Sequence, residues 1–202
     1  MRLFIAINFD DEAKRRILTV QNKIKKEAGN GKFSPPENLH LTLVFLGETA
    51  EERLPEIQEA MIQAVSDEKF RPVINLVFSK AGFFKRGGKE LWYLGTGKEK
   101  TDGETRLTSL QQRLAGELLK RNFFIDKRPF TAHITLGREI KSNPTSNSEL
   151  TCNNGLWPFE TENILIAVKR LSLMESSHVR SSGGKSVLVY TELFGYEIKK
   201  PD

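Results

Sequence analysis

Two hydrophobic periods alternate along this chain, one of two residues and one of three to four, and together they predict its elements. Runs rich in β-branched and aromatic residues read as strands near 2 to 8, 38 to 46, 72 to 79, 90 to 96, 131 to 137, 163 to 174 and 186 to 197. Between them lie three stretches with helical spacing. In the first, Ile17, Val20, Ile24 and Ala28 share one face, Asp10-Asp11-Glu12 makes an acidic first turn, and Gly29 supplies a stop. In the second, Ile57, Ala60, Met61, Ala64 and Val65 line up behind Pro55, which suits an opening turn. The third carries Leu107, Leu110, Leu114 and Leu118 behind a capping box formed by Thr101 and Glu104. Each stripe is most simply a face packed on a sheet. Ser181-Ser182-Gly183-Gly184 reads as a hairpin turn, and the polar stretch from Lys141 to Trp157 as a long surface loop.

The period-two pattern becomes chemical at two places. Only three histidines occur, and two of them open the same motif, His40-Leu41-Thr42-Leu43 and His133-Ile134-Thr135-Leu136, 93 positions apart. Because residues i and i+2 share a face of a strand, His40 and Thr42 point one way while Leu39, Leu41, Leu43 and Phe45 point the other. The second copy sets His133 and Thr135 on one face and Ala132, Ile134 and Leu136 on the opposite one. Two such strands in related halves of a sheet system bring two imidazoles and two hydroxyls to one cleft. Imidazoles exchange protons near neutral pH, so the pair can serve as acid and base while the hydroxyls hold non-bridging oxygens. The third histidine, His178, lies in a polar segment with no following Thr and reads as a surface residue.

With these motifs the chain resembles the two-histidine phosphoesterase superfamily, and within it the LigT-like RNA 2',3'-cyclic phosphodiesterases. The likeness runs from end to end. It includes the opening strand Met1-Arg2-Leu3-Phe4-Ile5-Ala6-Ile7, the lead-ins Pro35-Pro36-Glu37-Asn38-Leu39 and Arg128-Pro129-Phe130-Thr131-Ala132, Arg138 closing the second motif, and the late segment Leu173-Met174-Glu175-Ser176. Asn8 stands where an acidic residue is common in the family and Val44 where a basic one is common. The resemblance implies a metal-independent hydrolase that opens 2',3'-cyclic phosphate at RNA ends. His40 would be the acid toward the departing 3' oxygen, His133 the base activating water, and the product a 2'-phosphomonoester. It also implies a secondary 2',5' RNA ligase activity. Read without the resemblance, the sequence leaves the polarity of the pair open.

The irregular order of strands and helices, with the paired motifs, predicts an α+β fold. We expect one bilobal, pseudo-symmetric domain over residues 1–202: two mainly antiparallel sheets with outer helices facing one another across a central cleft, the lobes exchanging terminal strands. Thr42 and Thr135 are expected to bind the phosphate. Arg138 falls on the opposite face of an ideal strand from Thr135, so it joins them only if the strand bends, for which Gly137 is the candidate. Lys85-Arg86-Gly87-Gly88-Lys89, beside Phe83, Phe84, Trp92 and Tyr93, has two open readings: a hairpin that holds RNA backbone and stacks a base, or a solvated turn with core aromatics on its strands. Arg86, Lys89 and Arg128 are the candidate RNA contacts.

Composition narrows the partners. Of 202 residues 38% are hydrophobic and 28% charged, the net charge is +5 and the pI is about 9.3, which suits a soluble globular protein with a polyanionic partner. No stretch has the length of a membrane span or the form of a signal peptide, and the single cysteine, Cys152, excludes an internal disulfide. We therefore expect a cytoplasmic monomer with an inert Cys152. No metal-ligand spacing is visible, and no cofactor or triphosphate-binding loop is indicated. Besides RNA ends, including tRNA fragments, the substrate could be a small cyclic nucleotide, or the protein could bind nucleotides without turnover.

Overall fold

Every strand of the described chain hydrogen-bonds into one antiparallel sheet, and the two-histidine motifs meet at its waist. The computed structural model describes residues 1–26, 28–66, 70, 73–97, 101–142, 159–180, 184 and 186–198. In chain order the elements are β1 (Arg2–Asn8), α1 (Asp11–Lys25), β2 (Ala28–Phe33), β3 (His40–Glu48), α2 (Leu54–Val65), β4 (Ile74–Arg86), β5 (Lys89–Thr96), α3 (Asp102–Lys120), β6 (His133–Ser142), β7 (Phe159–Val168), β8 (Arg170–Arg180) and β9 (Ser186–Glu197). The sheet runs β7-β4-β5-β6-β3-β1-β8-β9, with β2 paired to β6 beyond the end of β3. The two separate sheets expected for the lobes are thus halves of one sheet. They touch through a single backbone pair, Leu41 with Ile134. The half carrying His40 is built from both ends of the chain, β1 with β8 and β9, while β2 crosses to the half carrying His133.

The expected helical stripes are the buried faces of α1, α2 and α3, packed with Leu3, Ile5 and Ile7 of β1 and with Leu76, Phe78 and Leu94 of β4 and β5 in one core. Asp10 caps α1, its carboxylate accepting from the Ala13 amide at 2.9 Å. At α3 the Thr101 hydroxyl accepts from the Glu104 amide at 3.2 Å. The expected reciprocal bond is replaced: the Glu104 carboxylate accepts from the Thr96 hydroxyl at 2.8 Å, tying the helix to the end of β5.

Other expectations need correction. Helix α1 stops at Lys25, and Ala28 with Gly29 opens strand β2, whose Gly-rich sequence carries no period-two signal. The apolar run predicted as one strand over 163 to 174 is two, broken at Lys169: β7 edges the half carrying His133, and β8 pairs with β1 and β9 in the other half. β6 continues past 137 to Ser142, so the predicted loop from Lys141 begins as strand, and its remainder lies outside the described residues. Cys152 and the Ser181-Ser182-Gly183 part of the predicted turn also lie outside them.

Candidate active site

Both motifs begin their strands, β3 at His40 and β6 at His133. The Leu41–Ile134 pair falls one residue after each histidine. Extended by one residue either way, that antiparallel register sets His40 across from Thr135 and Thr42 across from His133, on the face opposite the fully buried Leu41 and Ile134. The alternation expected from sequence holds through Leu43 and then fails. The β1–β3 ladder passes from Ala6–Thr42 to Ile5–Val44, leaving Leu43 as a bulge, so Val44 is buried and Phe45 turns out, 47% exposed.

The two imidazoles are held in the same way. Nδ1 of His40 lies 2.8 Å from the Asn38 carbonyl, and Nδ1 of His133 lies 2.8 Å from the Thr131 carbonyl. A carbonyl oxygen only accepts, so Nδ1 carries the hydrogen in both rings and Nε2 is the nitrogen left for chemistry. Nε2 of His40 is 3.0 Å from the Thr42 hydroxyl. With a neutral ring the Thr42 hydroxyl donates to it. Once Nε2 is protonated it donates instead, and the Thr42 hydrogen is free for another acceptor.

Burial pushes His40 down to about 4, against the opposing pull of the Asn38 carbonyl, and the positive charges of Arg138 and His133 push it further. His133 is lowered as well, by burial first and by Arg138, against the Thr131 carbonyl. Arg138 acts on both rings, so it stands within electrostatic reach of the whole site. Among the described residues it has no carboxylate partner.

Arg138 reaches the cleft through two irregularities in β6, the first directly before Gly137, where the sequence suggests a bend. Gly137 does not adopt a positive φ; Glu139 does, at 55°. Between the pairs Trp92–Gly137 and Glu90–Ile140, β6 has two residues, Arg138 and Glu139, opposite the single Leu91 of β5. An earlier shift comes first: Leu136 is extra between the pairs Thr135–Tyr93 and Gly137–Trp92, which sets Gly137 with Leu136 on the core side and brings Arg138 to the cleft, and the second bulge keeps Glu139 exposed beside it and returns Ile140 to the core. A left-handed backbone costs a residue with a side chain on the order of 1 kcal/mol, so it persists only where its surroundings enforce it. Gly137 serves close packing instead, since a Cβ there would sit 3.2 Å from the Phe33 ring.

A cleft of about 790 Å³ opens beside His133, lined by Thr42, His133 and Arg138 and also by Phe45, Phe84, Lys85 and Arg128; His40 adjoins it through Thr42 and, like Thr135, is not part of its lining. Each imidazole is flanked by one Phe and one Tyr. Phe4 and Tyr190 lie 4.9 and 5.1 Å from His40, and Phe84 and Tyr93 lie 5.6 and 5.9 Å from His133, centroid to centroid. Of the hairpin aromatics, Phe84 and Tyr93 stack at 4.4 Å on the cleft side, while Trp92 is buried in the core. Tyr93 lies flat because Gly82 and Gly95 leave room: a Cβ at either would fall within 3.1 Å of its ring. Sequence reading missed Phe4 and Tyr190. β1 is buried on both faces, so nothing in its pattern marks Phe4 as cleft-facing, and Tyr190 comes from a distant strand.

The remaining candidates are distributed as follows. Thr135 shares the face of His133 and pairs with Tyr93. Arg86 and Lys89 close the β4–β5 hairpin around Gly87 and Gly88, whose φ values of 56° and 73° make the two-residue turn. Lys89 Nζ lies 3.5 Å from the Glu139 carboxylate. Arg128 lines the cleft with its guanidinium against Asp126, Nε to Oδ2 2.8 Å. His178 is exposed on β8. Among the described residues no group of three His, Cys, Asp or Glu converges as metal ligands would, and no helix is long and apolar enough to cross a membrane.

Comparison with known proteins agrees with this geometry. The model of LigT-like phosphoesterases matches residues 7–88 and 100–183. An RNA 2',3'-cyclic phosphodiesterase of Archaeoglobus fulgidus is 36% identical over 71% of this chain and 76% of its own. One of Thermotoga maritima is 32% identical over 88% and 87%. Among solved structures, Escherichia coli LigT complexed with 3'-AMP superposes with a TM-score of 0.68 at 26% identity, covering 97% of this chain and 96% of that one. With both motifs paired across one waist and the family match spanning them, the chain belongs to the LigT-like phosphoesterases.

Proposed function

We propose that this chain opens 2',3'-cyclic phosphates at RNA ends without a metal ion, using His40 and His133 as an acid and base pair. The observation that carries the reading is the waist of the sheet: one backbone pair, Leu41–Ile134, holds two imidazoles on a single face, each with Nδ1 engaged by a carbonyl, beside Arg138, which has no carboxylate partner among the described residues. The activity named for the relatives in Archaeoglobus fulgidus and Thermotoga maritima supports the same substrate class.

In the proposed reaction, water attacks phosphorus as His133 Nε2 takes its proton. The bond from phosphorus to the 3' oxygen breaks, and that oxygen takes the proton from His40 Nε2. The 2' oxygen keeps the phosphate. Thr42, Thr135 and Arg138 hold the non-bridging oxygens, where charge grows in the transition state. His40 must gain its proton with the anionic substrate in place, the phosphate charge working against the burial, and the added charge of Arg138, that otherwise keep the ring neutral. With a 5' hydroxyl in place of water, His133 takes the hydroxyl proton as the 5' oxygen bonds to phosphorus, the 3' oxygen leaves with the proton of His40, and a 2',5' linkage results, a secondary activity.

Arg128 and Lys85 at the cleft wall, with Arg86 and Lys89 at the hairpin tip, are proposed to attract RNA beyond the terminal nucleotide. The whole chain is read as one catalytic domain acting as a cytoplasmic monomer, the lone cysteine being compatible with a reducing compartment. A second reading, small cyclic nucleotides as substrate, draws on the Escherichia coli neighbour, whose structure holds 3'-AMP. A binding role without turnover is disfavoured by two complete motifs.

Incubating the protein with a short RNA ending in a 2',3'-cyclic phosphate and with a cyclic mononucleotide, both in chelator, separates these readings. Faster opening of the RNA, leaving a 2'-phosphate, supports the first. No turnover of either would remove the proposal.

A further inference from the structure

We propose that Glu139 is a positioning residue for this reaction: its backbone and its two lysine contacts fix the bulge that it shares with Arg138 beside the phosphate site. The inference rests on the reading of Arg138 given above. Without a bulge, alternation from His133 and Thr135 would carry Gly137 and Glu139 on the cleft face and send Arg138 toward the core with Leu136. β6 departs from this twice: Leu136 is extra between the pairs Thr135–Tyr93 and Gly137–Trp92, which brings Arg138 to the cleft side, and a second bulge then keeps Glu139 beside it. On one side β6 places Arg138 and Glu139 against Leu91 alone; on the other, β2 passes from Lys32–Arg138 to Asn30–Lys141, again with one residue fewer than β6. The extra residue is therefore extra to both neighbours, and the strand cannot redistribute it by slipping along either.

Glu139 takes up that residue in the left-handed region, φ 55°, where glycine would be the ordinary choice. Its carboxylate spans the strands on either side, 3.2 Å from Lys32 Nζ on β2 and 3.5 Å from Lys89 Nζ on β5. Each contact is a surface ion pair and contributes little to stability alone. Together they tie the one strained residue to both flanking strands, which is how a costly backbone conformation is kept in a single state. The consequence is geometric: Arg138, the other residue of this bulge, is held in place where it lines the cleft with Thr42 and His133. Lys89, on this account, acts through Glu139.

The test uses Glu139→Gly, which suits the positive φ but has no carboxylate, and Glu139→Gln, which keeps the shape without the charge, alongside Arg138→Ala. A purely structural role predicts a less stable protein with unchanged chemistry. The positioning role predicts that Glu139→Gly unfolds no more easily than the parent, yet loses about 10-fold to 10²-fold in kcat/KM, as small misplacements of a catalytic group do. The acid limb of its pH profile should also move to higher pH, as in Arg138→Ala, because the imidazoles are no longer held low by the guanidinium. Glu139→Gln should change in the same direction, and Arg138→Ala with Glu139→Gly should be no slower than Arg138→Ala alone. Parental rate and pH limb in both Glu139 variants, with Arg138→Ala slow, would overturn the inference, as would multiplicative losses in the double variant. A fully active Arg138→Ala would instead remove Arg138 from the proposed mechanism, and the role of Glu139 with it.

Discussion

Leu41 and Ile134, each the neighbour of a motif histidine, are both fully buried and form the single backbone pair joining the two halves of the sheet. The hydrophobic core thereby fixes the separation of the imidazoles. Their side chains pack inward, so His40 and His133 can only look outward, and toward each other's strand. A cavity at this junction would loosen the site as well as the fold. Leu41→Ala is expected to lower unfolding stability by about 2 to 5 kcal/mol. Denaturant unfolding measures the first effect, and turnover well below the unfolding midpoint the second.

Removing either imidazole should be decisive. His40→Ala and His133→Ala are each expected to slow opening of an RNA 2',3'-cyclic phosphate by about 10² to 10⁴. Because the rings act as a unit, the double variant should lose less than the product of the two. Single-turnover kinetics on end-labelled RNA reads this directly, and parental activity in one variant would remove that residue from the pair. His178→Ala, on the exposed part of β8, should keep the parental rate.

The pH dependence has two parts. Activity should be bell-shaped, since one ring must be neutral and the other charged. Bound phosphate raises His40 from about 4, so the alkaline limb of kcat should lie well above that value. An alkaline limb that stays in place in the residual activity of His40→Asn would exclude His40 as the acid. Stability follows a different sign. Both rings are held below the ordinary value of 6.5, so between about 4 and 6.5 the unfolded chain binds more protons than the native one. The native state is favoured in full above pH 6.5 and loses that margin as pH falls toward 4. His40→Asn should flatten this slope in urea titrations across the same window.

Phe84 offers an exposed face beside His133, 42% accessible and stacked on Tyr93. A base laid there would gain roughly 1 to 3 kcal/mol. Phe84→Ala should therefore raise KM for RNA while leaving kcat nearly unchanged, whereas Phe84→Tyr should bind as the parent does. An unchanged KM would show that the base lies elsewhere.

Chelator should leave turnover intact, since the proposed proton transfers need only imidazoles and hydroxyls. Loss of activity in chelator, restored by one divalent ion, would overturn this part of the mechanism.

The sequence by itself determined the chemistry of the site and most of its frame. Three amphipathic stripes became the three helices, and two copies of one motif announced a paired site, because periods of two and of three to four are local properties of a chain. Alternation along β3 was legible only to Leu43. The bulge there depends on how β1 pairs with it, and this turned Phe45 to the opposite face. The same limit hid β2, whose Gly-rich segment is a strand only because β6 offers an edge, and it hid Phe4 and Tyr190 around His40. Tertiary structure alone decided that the lobes share one sheet and that β6 departs from alternation twice, at Leu136 and at Glu139. Register and bulges are settled between strands far apart in the chain, where each residue's face depends on a partner that its own neighbours do not reveal.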